Sequence, residues 1–416
     1  MSKIRVAGLA RLAAAFVFWT TSLSAAAFGP SITAAQLRED AVHLQDLITR
    51  LHPDPRFSSD PQAVEAALGR ILQDLPAELS RDEAWRRLAR LNPLLADGHF
   101  FVGHADWRAE TRAWLATGGA LFPCEIDIRA DGTLWMRAGT PSEAPTRIVA
   151  INGNDASALV PAMLALVHGD TPAFRTQLLA ERWWFYHWKL AGAPERYRLT
   201  VEQGGVQKTI DLPGSRAVPR RLRDENDFGR QFALAIEPGG VAVLTIGSFS
   251  WHDPSAFLDF TRNAFQRIRD AGVASLVIDI SANGGGDDAM WLDGLMPYLA
   301  TRPYRTGSTT RKKGMDGEIG TWRQPKPDHP LRFGGKVSVR IGPGTYSSAI
   351  LFANVMKDFK FGSLTGTGGM ARRSQSGGTR RHVLPHSGLA LWLPRFIIDP
   401  PAGRSPGALL EASGAH

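Results

Sequence analysis

Residues 341–358 read IGPGTYSSAILFANVMKD. An apolar strand ends at Ile341, a Gly342-Pro343-Gly344 turn follows, and apolar residues at helical spacing run on from Ala349. This order puts Ser347 and Ser348 at the first turn of a helix. Backbone N–H groups there have no intrahelical partner, and the helix dipole is positive. A serine so placed either caps the helix through its hydroxyl or offers that hydroxyl as a nucleophile. Upstream, residues 276–291 read LVIDISANGGGDDAMW, a buried strand running into Gly284, Gly285 and Gly286. Three glycines leave backbone N–H groups free of side chains, as the stabilisation of a developing oxyanion requires.

Working outward, strands and helices alternate from Gly239 onward. GVAVLTIGSF, ASLVIDI and KVSVRIG read as strands, and SAFLDFTRNAFQRIRDAG, DAMWLDGLMPYLA and SAILFANVMKD as helices. That alternation predicts an α/β region with a largely parallel sheet and helices on its faces. Loops that follow the carboxyl ends of such strands are where ligands bind, and both the glycine run and Ser347 fall there. A phosphate loop is not expected, because no Lys-Ser/Thr follows the glycines and the spacing is not GxGxxG. Residues 302–333, rich in Gly, Pro and charge, read as a mobile rim loop.

Residues 31–95 read as helical. Thr33 and Gln36 form a capping box, His52-Pro53 ends the first helix, and Ser80 is the expected N-cap of a third. From Gly118 to Leu212 short alternating runs surround Asp131-Gly132 and Gly204-Gly205, which read as hairpin turns. Between them residues 175–192 form an aromatic helical stretch whose Trp183, Trp184 and Trp188 suit core packing. The expected division is a leader at 1–27, a helical part at 28–117, a middle domain at 118–217 and a core at 225–416.

Lys3, Arg5 and Arg11 precede an apolar run and then SAAAF, the plan of a cleaved signal peptide. The protein is therefore expected to be exported, to a bacterial periplasm or beyond, with no membrane span once the leader is removed. The formal charge is +8, but the basic residues are dispersed, so no nucleic-acid partner is expected. Cys124 is the single cysteine, which excludes an intramolecular disulfide and a Cys-based metal cluster; it reads as a core residue. His382 and His386 flank a Pro in an extended stretch and do not read as a zinc pair. No cofactor or metal is expected.

A serine nucleophile needs a base. LNPLLADGHFFVGH, residues 91–104, holds Asp97, His99 and His104 between a helix and a strand. His99, in an Asp-Gly-His turn, is a better candidate than His43, His187 or His329, which lie in helical or rim contexts.

Taken together, these segments resemble the tail-specific, or C-terminal processing, serine peptidase family, especially its tricorn-like branch. LVIDISANGGG is similar to the family's Asp-x-Arg-x-Asn-x-Gly-Gly turn, with Ser281 in the place of the arginine. IGPGTYSSAILFA matches the nucleophile motif, whose catalytic serine falls on Ser347. LLADGHFFV resembles the motif of the tricorn-type histidine, which falls on His99. The resemblance implies a helical N-terminal region, a PDZ-like α+β middle domain carrying RIVAINGNDASALVPAML, and a βα-alternating, crotonase/ClpP-like catalytic core. One branch of the family uses a lysine base beyond the serine. Here that count lands on Arg372, and no lysine follows Lys360. Arginine stays protonated, which leaves His99 as the base.

The implied function is peptide-bond hydrolysis on a polypeptide substrate. Ser347 attacks, His99 takes and returns the proton, and the backbone N–H groups of Ser348 and of Gly285 or Gly286 hold the oxyanion. The family's acidic partner lies late in the chain, with Glu411 and Asp399 as the candidates here. The site would sit at a domain junction that relative motion could assemble. Two other readings stay open: a catalytically weak homologue that binds peptides or cell-wall fragments, and an esterase on the same core.

Overall fold

The computed structural model describes residues 31–137 and 144–413. The leader expected at 1–27 lies outside them. Among the described residues no helix is long and apolar enough to cross a membrane.

The core is a five-stranded sheet in the order Phe232–Glu237, Val241–Ile246, Ser275–Asp279, Lys336–Ile341 and Ser363–Gly366. The first two strands pair antiparallel and the other neighbours pair parallel. Helices Pro254–Asp270, Asp288–Gly294 and Ser348–Asp358 connect and cover the strands. Leu244, Leu276, Ile278 and Val339 are fully buried between the layers, as a sheet covered on both faces requires. The chain past 302 is not a structureless rim. Thr309–Lys312 and Met315–Glu318 form a hairpin whose inner strand pairs with Phe396–Ile398.

The N-terminal helices form as their caps dictate. Thr33 and Ser80 both complete capping boxes, with Gln36 and Glu83. The middle of the chain makes a six-stranded antiparallel sheet, including the hairpin of Arg196–Gln203 with Val206–Pro213. Helices Pro172–Glu181 and Trp183–Ala191 cover it, and Trp183 and Trp184 are buried. The helical and middle parts share one continuous apolar cluster, which also takes in Leu389 and Leu391. Cys124 is half-buried against that cluster, just before the strand Ile126–Ile128.

One small sheet decides where the site lies. Phe101–His104 pairs antiparallel with Leu389–Leu393, and that strand pairs with Arg380–Val383. A strand two residues after His99 is thereby hydrogen-bonded into the C-terminal part of the chain.

Candidate active site

The strand Lys336–Ile341 ends in a turn held by backbone and side-chain bonds. The Gly342 N–H donates to Thr345 Oγ1 at 2.9 Å, and Thr345 Oγ1 donates to the Ile280 carbonyl at 2.8 Å. The Gly344 N–H reaches the Ser281 carbonyl and the Tyr346 N–H the Asn283 carbonyl, at 2.9 and 3.0 Å. The serine turn and the glycine turn are therefore laced together. Gly285, at φ +97°, packs against Ser347 so closely that a Cβ there would lie 2.6 Å from Ser347 Cβ.

Ser347 adopts φ 56° and ψ −126°, and the Ala349 N–H donates to the Tyr346 carbonyl at 3.1 Å. These are the marks of the second position of a type II′ turn, which glycine ordinarily fills. A serine held there is strained by about 1–3 kcal/mol. Its side chain makes no capping bond to the helix, so the N-cap reading of Ser347 does not describe the structure. Its hydroxyl instead lies 3.1 Å from His99 Nε2. Ser348, the alternative nucleophile, is buried, with its hydroxyl bonded to Asp288 and Trp291.

His99 follows the short helix Asn92–Leu95, whose C-cap Ala96 is left-handed. Asp97 Oδ1 accepts the His99 backbone N–H at 2.7 Å, and the imidazole packs against the Tyr346 ring with centroids 4.9 Å apart. His99 Nδ1 lies 3.2 Å from Ser376 Oγ, and Ser376 donates its hydroxyl to Asp97 Oδ1 at 2.9 Å. With that proton committed to Asp97, the Ser376 oxygen accepts from Nδ1–H. The Nε2 lone pair is then left facing Ser347.

Neither acid expected from the sequence reaches the imidazole. Asp399 accepts from Ser374 at 2.7 Å and from Thr309 at 2.6 Å, because the strand Phe396–Ile398 leads it into the other sheet. The Glu411 carboxylate lies against Gly368 and Gly369. The carboxylate nearest His99 is Asp97, two residues upstream, with its oxygen 4.0 Å from Nδ1. Ser376 and Asp97 carried no sequence signal beyond the Asp-Gly-His turn itself.

The oxyanion donors also differ from expectation. Asn283 Oδ1 accepts the Gly285 N–H at 2.8 Å in a turn two residues long, which removes Gly285 as a donor. Among the described residues the N–H groups of Ser348, Gly284 and Gly286 make no hydrogen bond. Ser348 is the first residue of its helix, where unpaired donors are the rule. The Ser347 N–H is taken by buried Gln375, whose Oε1 accepts it at 3.2 Å.

Burial pushes the His99 pKa down to about 4, with the Asp170 charge opposing, so the ring is neutral at pH 7. Burial and the neighbouring Asp170 carboxylate hold Asp97 up at about 7, against the bonds from His99 N–H and Ser376. Asp97 Oδ2 is buried without a partner. Once Asp97 ionises, its charge 4.0 Å from Nδ1 favours the imidazolium by about 1–4 kcal/mol between the dielectric limits of water and a protein surface. The histidine becomes a stronger base as its neighbour loses a proton. Burial also raises Cys124 to about 11, which leaves it without thiolate character.

A cleft of about 940 Å³ borders the glycine turn, lined by Ala282, Gly284, Gly285, Ser250 and Trp251. Its charged walls are paired, Arg108 with Glu225 at 3.0 Å and Arg221 with Glu181 at 3.2 Å. A second cluster, Asp82, His104 and Glu110, has metal-ligand spacing. Cations already occupy it: buried Lys189 bonds Asp82 at 3.3 Å and Glu110 more closely still, and Arg81 pairs with Glu110 at 3.5 Å.

Residues 240–405 match the model of peptidase family S41. No curated protein matches the chain. The fold is similar to mature CPAF complexed with lactacystin, with a TM-score of 0.61, 14% identity, and 90% of this chain and 93% of that chain covered. It is likewise similar to mature CPAF alone, at 0.62 and 14%, covering 91% and 92%. A photosystem II D1 C-terminal processing protease covers 91% of this chain and 93% of its own at 15% identity, with a TM-score of 0.47. The segment that matches the peptidase family S41 model contains the glycine turn, Ser347 and Ser376, the residues on which the site is built.

Proposed function

We propose that this serine peptidase is exported and cleaves polypeptides with Ser347 as nucleophile and His99 as base. Ser376 and Asp97 orient and charge-balance the imidazole. The single observation behind the reading is a strained serine, φ 56°, whose hydroxyl lies 3.1 Å from a neutral imidazole. Ser347 Oγ attacks the scissile carbonyl as its proton moves to Nε2. The tetrahedral oxyanion is held by the Ser348 N–H and that of Gly284 or Gly286. The imidazolium then protonates the leaving amine, and water resolves the acyl-enzyme. The cleft beside the glycine turn is large enough for several residues of an extended chain, which favours internal or near-terminal cleavage of a polypeptide. Export rests on the basic, apolar and small-residue order of the first 27 residues.

A fluorophosphonate probe tests the reading. Labelling is expected in the wild type, lost in Ser347→Ala and at least about 10²-fold slower in His99→Ala. Undiminished labelling of Ser347→Ala overturns the nucleophile. Turnover of esters without turnover of peptides overturns the substrate class.

A further inference from the structure

Ser347 and His99 meet from loops 248 positions apart. Beneath both lies Asp170, 7% exposed, in the short segment between helices Ala156–Leu164 and Pro172–Glu181. Its Oδ1 accepts the Tyr346 hydroxyl at 2.6 Å and the Gly98 N–H at 3.1 Å. Its Oδ2 accepts the Arg372 N–H at 3.0 Å, with Arg372 Nη1 at 3.6 Å. Tyr346 immediately precedes Ser347, and Gly98 immediately precedes His99. We propose that Asp170 is a positioning residue that registers the nucleophile loop against the base loop, by binding the residue before each reacting side chain with one carboxylate oxygen. The proposal rests on the reading of Ser347 and His99 given above.

The chemistry of the cradle calls for a carboxylate. Three N–H or O–H donors converge on it and a guanidinium stands beside it, so only an acceptor with lone pairs on both oxygens satisfies them all. The Arg372 guanidinium offsets the buried charge, which would otherwise be costly. It also donates to the Ala96 carbonyl at 2.7 Å, pinning the left-handed residue from which the His99 loop departs. The Gly98 N–H lies 2.9 Å from the Tyr346 oxygen as well, and a Cβ on Gly98 would fall 2.5 Å from Tyr346 Cζ. The two loops are thus in direct backbone-to-ring contact at the carboxylate. The next residue, Thr171, donates its hydroxyl to the Met370 carbonyl at 2.7 Å and ties the same segment to the loop that leads into the strand Gln375–Gly377, which carries Ser376. A displacement of about 1 Å between reacting groups costs on the order of 10²-fold in rate.

The test compares Asp170→Asn, Tyr346→Phe and the double variant in the full chain. A fluorophosphonate probe reads the maximal inactivation rate and the probe's half-saturating concentration separately, alongside thermal melting. Asp170→Asn is expected to lower the maximal rate about 10²-fold with half-saturation within about threefold. The double variant is expected to be no slower than Asp170→Asn, because both changes break one chain of contacts. A folded Asp170→Asn that reacts within threefold of wild type overturns the proposal, as does a loss confined to half-saturation or losses that multiply in the double variant. If Asp170→Asn does not fold, Tyr346→Phe decides alone: a maximal rate about 10-fold lower supports the proposal, and an unchanged rate overturns it. Wild-type protein that never labels at Ser347 refutes the underlying site reading, a separate outcome from normal labelling of the Asp170 variant.

Discussion

Replacing Ser376 with alanine removes one oxygen and tests the whole relay. Ser376 is 3% exposed, and its hydroxyl joins His99 Nδ1 at 3.2 Å to Asp97 at 2.9 Å. Without it the direct gap is 4.0 Å, too long for a hydrogen bond. A hydrogen bond to a charged group contributes about 1.5–3 kcal/mol. At about 1.4 kcal/mol per decade, its loss slows acylation by about 10- to 150-fold. This is well short of the roughly 10⁴-fold cost of disabling the acid in a directly bonded triad, because the Asp97 charge stays in place. The Ser376 bond also holds the Asp97 pKa down, so the variant's Asp97 titrates higher and the acid limb of the rate profile moves to higher pH. The assay is the fluorophosphonate labelling rate from pH 5 to 9, with circular dichroism to establish folding. A folded Ser376→Ala that labels within threefold of wild type, with the limb unmoved, refutes the relay.

Three further outcomes follow from the same geometry. Gly285→Ala should abolish labelling and lower the melting temperature, since its Cβ would meet the Tyr346 carbonyl oxygen at 2.8 Å and Ser348 N at 2.9 Å; a melting point equal to wild type contradicts the packing. Ser347→Gly should be more stable than Ser347→Ala by about 1 kcal/mol in denaturant titration, because glycine adopts φ 56° without strain, and equal stabilities would remove the strain argument. Asp97 has a folded pKa raised to about 7 from an ordinary 3.8, so its contribution to stability is lost as pH rises from about 4 through 7; Asp97→Asn should flatten the decline in melting temperature over that window while slowing labelling, and an unchanged slope would show that Asp97 does not titrate there.

What the sequence disclosed was local. The capping boxes at Thr33 and Ser80, the parallel strands from Val241 onward and the placement of Ser347 at a strand-to-helix turn each depend on neighbours a few positions away. The partners of His99 depend on tertiary contact. Ser376 is 277 positions from His99 and Asp170 is 176 from Tyr346, and no spacing rule connects them. Asp97 stands two residues before His99 in the sequence, but its link to the ring runs through Ser376, which only the fold brings near. Gly285 looked like a free donor because its engagement by Asn283 depends on a side-chain rotamer. The hairpin inside 302–333 had a local signal, Lys313-Gly314 with Gly314 at φ 70°, hidden by the charge-rich composition around it.

The short antiparallel ladder between Phe101–His104 and Leu389–Leu393 has a consequence for control. A hinge that swung the imidazole away would have either to unzip that ladder or to carry the Leu389–Leu393 strand and its apolar cluster along, so rigid-body gating is an expensive off-switch for this enzyme. Regulation is more cheaply exercised at the mouth of the groove, by admitting or refusing the client chain. The molecule should therefore stay chemically armed between turnovers.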